Sequence, residues 1–215
     1  MTTLFFKWIT HAVQLMTVIS CIYYLSNKRA VQPYRLFATG WAAVLLYDLT
    51  MVVIGLINPV NNHWVYNIAF AIIQLFCIWI FIEILGQRKW IYALLFYAAF
   101  AISNLIFLQG KTVLNTYTLA FGGTIILIAA SVKLFLLWKE DTSRSLFADP
   151  DFWLCAGFIF YWGTATPFFS MYNYLWQVSE YFFTIYFYTV NFGATVILNL
   201  CIIKALQCSL RIAKR

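Results

Sequence analysis

The residue in this chain best placed to do chemistry is an aspartate in the middle of an apolar run. Asp48 lies about ten residues from either end of the stretch 36–57, which reads as a membrane-spanning helix. A carboxylate at that depth cannot snorkel to water, and an ionisable group is a poor choice where an amide would serve. Asp48 is therefore read as functional and must face the interior of a helix bundle. His11 sits about 10 Å below the start of the first apolar run, on a face that continues through Gln14 to Cys21 with Thr17 at its edge. Gln74 stands near the middle of the third run, one heptad after Asn67. In the last run Glu180, Thr184, Tyr188, Asn191, Thr195 and Asn199 recur at threes and fours, which on one straight helix makes a single polar stripe.

His11, Asp48, Gln74, Tyr188 and Asn191 fall at comparable depths and are predicted to line a ligand-binding pocket open to the outside. Polar groups within spans also hold bundles together, at about 0.6 to 2 kcal/mol each, and for Gln74, Asn191 and Asn199 that role is favoured. Glu83, Lys133 and Lys204 lie within about two turns of an expected boundary and read as snorkelling side chains. Pro167, in Thr164-Ala165-Thr166-Pro167, stands at mid-span; it removes a backbone hydrogen bond and is expected to kink its helix, as a hinge or as fixed shape. Aromatic residues cluster around it, among them Phe158, Tyr161, Trp162 and Phe168, with Tyr181, Phe183 and Phe187 on the last run. Such rings can wall a pocket for an apolar or planar ligand, or simply pack and face lipid.

Several chemistries lack their residues. A retinal Schiff base needs a lysine at mid-depth in the last helix, and Lys204 is near its end. There is no H-E-x-x-H, no G-x-S-x-G and no phosphate-cradling glycine loop. The five cysteines, Cys21, Cys77, Cys155, Cys201 and Cys208, show no C-x-x-C and no metal-ligand spacing, so no metal and no cofactor is expected. One acid and one histidine, without a second carboxylate, make a thin catalytic site, and the reading favours a non-enzyme. The net charge of +7 sits in short loops between apolar runs rather than on one exposed face, which argues against nucleic acid as a partner.

The elements that must position these residues follow from composition. A soluble domain is about a quarter charged; this chain is 10% charged and 64% hydrophobic, so its main solvent is the lipid bilayer. Runs of spanning length occur at about 4–26, 36–57, 65–86, 90–108, 116–138, 152–173 and 180–205, giving one seven-helix transmembrane domain over 1–215. The breaks fall at Asn27-Lys28-Arg29 with Pro33, at Asn58-Pro59 with Asn61-Asn62, at Gln87-Arg88-Lys89, at Gln109-Gly110-Lys111, at Lys139 to Asp151, and at Asn173. Val18-Ile19-Ser20-Cys21 fits a loose lipoprotein cleavage pattern, but His11 and Gln14 interrupt the apolar region such a signal needs, so the stretch is read as helix one. With the N-terminus outside, Lys28, Arg29, Arg35, Arg88, Lys89, Lys133, Lys139, Arg144, Lys204, Arg211, Lys214 and Arg215 are cytoplasmic, against Lys7 and Lys111 outside. That asymmetry sets the expected orientation, with the C-terminus in the cytoplasm. Long basic connections after helices one and five, and short ones after two and six, suggest a parallel repeat of three helices, one linker and three helices. Gly40 and Gly157 align between the two triplets.

The segment from Phe152 to Lys204, with Phe152-Trp153, Gly157, Tyr161-Trp162, Asn191, Asn199 and a basic tail, resembles the last two helices of small seven-helix membrane proteins of Bacteroidota that carry no assigned activity. That resemblance implies a bacterial cytoplasmic membrane and companionship with a sensor kinase. The size and layout also look like sugar transporters of the PQ-loop class, yet His11-Ala12-Val13-Gln14 stands where the first proline-glutamine pair of that class would be. The expected function is a small-ligand receptor or accessory subunit that signals to a separate partner. The alternatives are a small-solute transporter with a midplane site at Asp48, and a structural membrane subunit.

Overall fold

The computed structural model describes residues 2–57, 63–110, 113–139, 145–188 and 192–213. Asn191, the break at 58–62 and the basic residues Lys111, Arg144, Lys214 and Arg215 lie outside the described residues. Those described form helices and short turns only: α1 (Thr2–Ser26), α2 (Tyr34–Ile57), α3 (His63–Leu85), α4 (Ile91–Ser103), α5 (Thr116–Lys139), α6 (Pro150–Val178), α7 (Glu180–Tyr188) and α8 (Ala194–Ile212). Among the described residues five segments are long and apolar enough to cross a membrane: Lys7–Ser26, Trp64–Leu85, Arg88–Leu108, Thr116–Lys139 and Ala194–Ile212. The chain is thus a helical membrane protein. Its outer surface carries large apolar side chains such as Trp8, Tyr92, Phe107 and Trp138, as a surface facing lipid requires.

Local chemistry explains most helix ends. Gly86, at φ +64°, closes α3 in the left-handed conformation that glycine adopts without strain, its N–H donating to the Ile82 carbonyl at 3.0 Å. Asp149 caps α6 by accepting the Asp151 N–H at 2.8 Å, and Pro150 occupies the first turn, where a missing N–H costs nothing.

One expectation differs from the structure. Asn173 does not break its helix; α6 runs on to Val178 and turns at the extended Ser179, because one amide among aromatic residues leaves the backbone ladder intact. Of the run 180–205 the described residues form α7 and α8, with Phe192 and Gly193 π-helical at the entry to α8, and residues 189–191 lie outside the described residues. Pro167 sits inside a continuous α6; the bond it deletes is the one the Gly163 carbonyl would accept.

Packing centres on α6, which lies along α5 on one side and α8 on the other, while α1 runs beside α2 and α8, and α3 beside α5. Gly157 permits the α6–α8 approach: a Cβ there would stand 2.8 Å from that of Cys201. The α2–α3 contact is short. Phe158 anchors the core, edge-on to Trp41 at 5.6 Å and to Phe81 at 5.4 Å between ring centroids.

One end of the bundle is tied by polar contacts. Asp151 takes the Lys133 ammonium at 2.9 Å and accepts the Tyr34 hydroxyl, joining α6, α5 and α2. There also the buried Tyr24 hydroxyl bonds Ser209 of α8 at 2.8 Å and receives the Val31 N–H at 3.0 Å, fixing the α1–α2 connection. At the opposite end Asn67 donates to the Val113 carbonyl and accepts the Asn115 N–H, both at 2.8 Å, holding the entry to α5 against α3.

Candidate functional site: a polar cavity at Asp48

Residues 41, 44, 45 and 48 of α2 follow the i, i+3, i+4, i+7 spacing of one helix face. Trp41, Val44, Leu45 and Asp48 accordingly line one side of an internal cavity of about 80 Å³. Gln14 enters from α1, Gln74 and Cys77 from α3, Tyr161 and Trp162 from α6, and Thr195 and Asn199 from α8. Helices distant in sequence thus converge on one carboxylate.

The polar groups divide into those already committed and those that are not. Gln74 is held at both ends of its amide: its Nε2 donates to the Leu119 carbonyl at 2.8 Å and its Oε1 accepts the Tyr97 hydroxyl at 2.6 Å, bridging α3, α4 and α5. Gly122 makes room for this bridge, since a Cβ there would meet Gln74 Oε1 at 2.5 Å. Asn199 donates to the Thr195 carbonyl at 2.9 Å and accepts the Trp41 Nε1–H at 3.4 Å. Asp48 is different. Among the described residues no hydrogen bond or ion pair reaches its half-buried carboxylate. The buried Trp162 Nε1 and Thr166 Oγ1 on α6 are likewise without partners among them.

The five residues expected to form the pocket fare unequally. Asp48 and Gln74 line it. His11 stands behind it, within electrostatic range of Asp48 and with its Nδ1 3.0 Å from Gln14 Oε1, so Gln14 connects histidine to cavity. Tyr188 is elsewhere: it stacks on Phe192 at 5.4 Å and lies under the Lys7 ammonium, 5.5 Å from its ring centroid. Asn191 lies outside the described residues. Trp41 was missed, although it precedes Asp48 by one heptad; Gln14, Thr195 and the Tyr161-Trp162 pair were visible as polar or aromatic residues but not as neighbours of the acid.

A single carboxylate without a hydrogen-bond or ion-pair partner among the described residues, in a cavity lined by Trp41, Phe158, Tyr161 and Trp162, is suited to holding a positive charge, by Coulomb attraction and by the ring quadrupoles. The space takes several waters or a small charged group. No family model, curated protein or solved structure matches the chain.

Proposed function

We propose that this chain is a receptor or accessory subunit of a bacterial cytoplasmic membrane that binds a small cationic ligand at Asp48 and passes a helix rearrangement to a separate partner. In this reading α7 and α8 together form the seventh span, the N-terminus is outside and the Asp151 end is cytoplasmic. The observation that carries it is the Asp48 carboxylate, unpaired among the described residues and facing an aromatic cavity where a purely structural site would have satisfied it. Coupling has a physical route. Trp162 lines the cavity and Asp151 begins the same helix, where it holds α5 and α2, so a shift of α6 at the ligand loads that junction.

Titrating small alkylammonium ions into the protein in nanodiscs tests the site. A saturable change in tryptophan fluorescence that Asp48→Asn abolishes supports it; no response to any such ion, or an identical response in the variant, refutes it. Co-purification in mild detergent tests the signalling half, which fails when the chain repeatedly emerges alone.

A transporter reading draws on the same cavity. The Tyr34–Asp151–Lys133 junction closes one end of the bundle, and Gly40 and Gly157 each make room for a residue from the third element of their triplet, Phe76 and Cys201. Uptake of the same ions into proteoliposomes, lost in Asp48→Asn, is its test.

A further inference from the structure

A larger space opens between α2 and α3. It measures about 470 Å³ and is almost wholly apolar, running along α3 from Trp64 to Phe76, about 18 Å at the helical rise, against Gly40, Ala43 and Tyr47 of α2. Val44 and Ile73 wall both this groove and the Asp48 cavity, so the two spaces back onto the same pair of side chains. The floor is the Phe76 ring, which lies 2.2 Å from where a Cβ on Gly40 would stand. On the rim Trp64 and Ile72 are exposed. The Tyr47 hydroxyl, on the groove wall, is buried without a hydrogen-bond partner among the described residues.

Neither space suffices alone. Ligand sites usually measure about 300–1,000 Å³; the cavity at about 80 Å³ admits only a small head, and the groove at about 470 Å³ has little to bind one. A molecule with a small cationic head and a single hydrocarbon chain would occupy both once the Val44 and Ile73 side chains part. We propose that the ligand is a long-chain ammonium amphipath that enters sideways from the bilayer between α2 and α3, its head at Asp48 and its chain in the groove. Charge complementarity with the unpaired carboxylate sets the head, and the apolar lining of the groove sets the chain. The short α2–α3 contact leaves the way in. This rests on the Asp48 site proposed above.

The test compares butylamine with dodecylamine by tryptophan fluorescence in nanodiscs, in the wild type and in Ala43→Phe, Ala69→Phe and Asp48→Asn. Ala43 is exposed on the groove, so a larger ring there fills it without disturbing the core, and Ala69 fills it from the other helix. With both ligands referred to their concentrations in the bilayer, dodecylamine is expected to bind more than about tenfold tighter than butylamine, through packing of its chain in the groove. Both groove variants are expected to lose that advantage and keep butylamine binding. Dodecanoate, with the same chain and an anionic head, is expected not to compete. Equal affinities for the two amines, a chain-length gain untouched by both groove variants, or competition by dodecanoate as strong as by dodecylamine overturns the amphipath and leaves the Asp48 site standing. No response to either amine, or the same response in Asp48→Asn, overturns the site itself.

Discussion

Lys133 and Asp151 meet at 2.9 Å across the α5–α6 interface, with side chains only 14% and 17% exposed. Removing Lys133 leaves the Asp151 charge largely buried without its ion-pair partner. Lys133→Met is expected to cost about 3 kcal/mol, read as a lowered Tm in detergent. A double-mutant cycle with Asp151→Leu separates the pair from the Tyr34 hydrogen bond; additive losses would mean that the two side chains do not interact.

Gln74→Leu should destabilise by about 1–3 kcal/mol, because the Tyr97 hydroxyl and the Leu119 carbonyl both lose a buried partner. Tyr97→Phe leaves only the Gln74 oxygen unmatched and should cost less. Thermal unfolding followed by circular dichroism orders the two.

Asp48→Asn carries the opposite sign. Since no hydrogen bond or ion pair reaches the carboxylate among the described residues, removing its charge relieves its desolvation and loses only the longer-range attraction of His11. Thermal stability is expected to be unchanged or raised while ammonium binding is lost. A large fall in Tm would reveal a structural acid.

Gly157→Ala and Gly163→Ala lie two turns apart on α6 and should diverge. The first places a methyl group 2.8 Å from Cys201 Cβ and is expected to cost about 1–3 kcal/mol. The second meets nothing within 4 Å and should be neutral or gain up to about 1 kcal/mol from helix propensity. Equal shifts in Tm would show that α6 and α8 do not pack as described.

The helices were legible because spanning runs are long and their breaks carry glycine, proline or charge. Asp48 was legible because an acid has no bland reason to lie mid-span. Its surroundings were not, because periodicity within one helix fixes which residues share a face and leaves open which helix that face meets. Thus Trp41 was on the correct face of α2, and only the fold brings it to Asn199. The groove is hidden for the same reason: Gly40, Ala43 and Ala69 are small residues in any helix until two helices hold them across an opening. Tyr188 shares the stripe's spacing, yet its ring stacks on Phe192 and meets Lys7, neighbours that spacing does not specify.

The polar stripe of the last run divides. Tyr188 lies under the Lys7 ammonium and stacks on Phe192, while Thr195 and Asn199 line the cavity at Asp48. The chain thus keeps two surfaces on what reads as one stripe, one meeting a cation and the other surrounding a carboxylate.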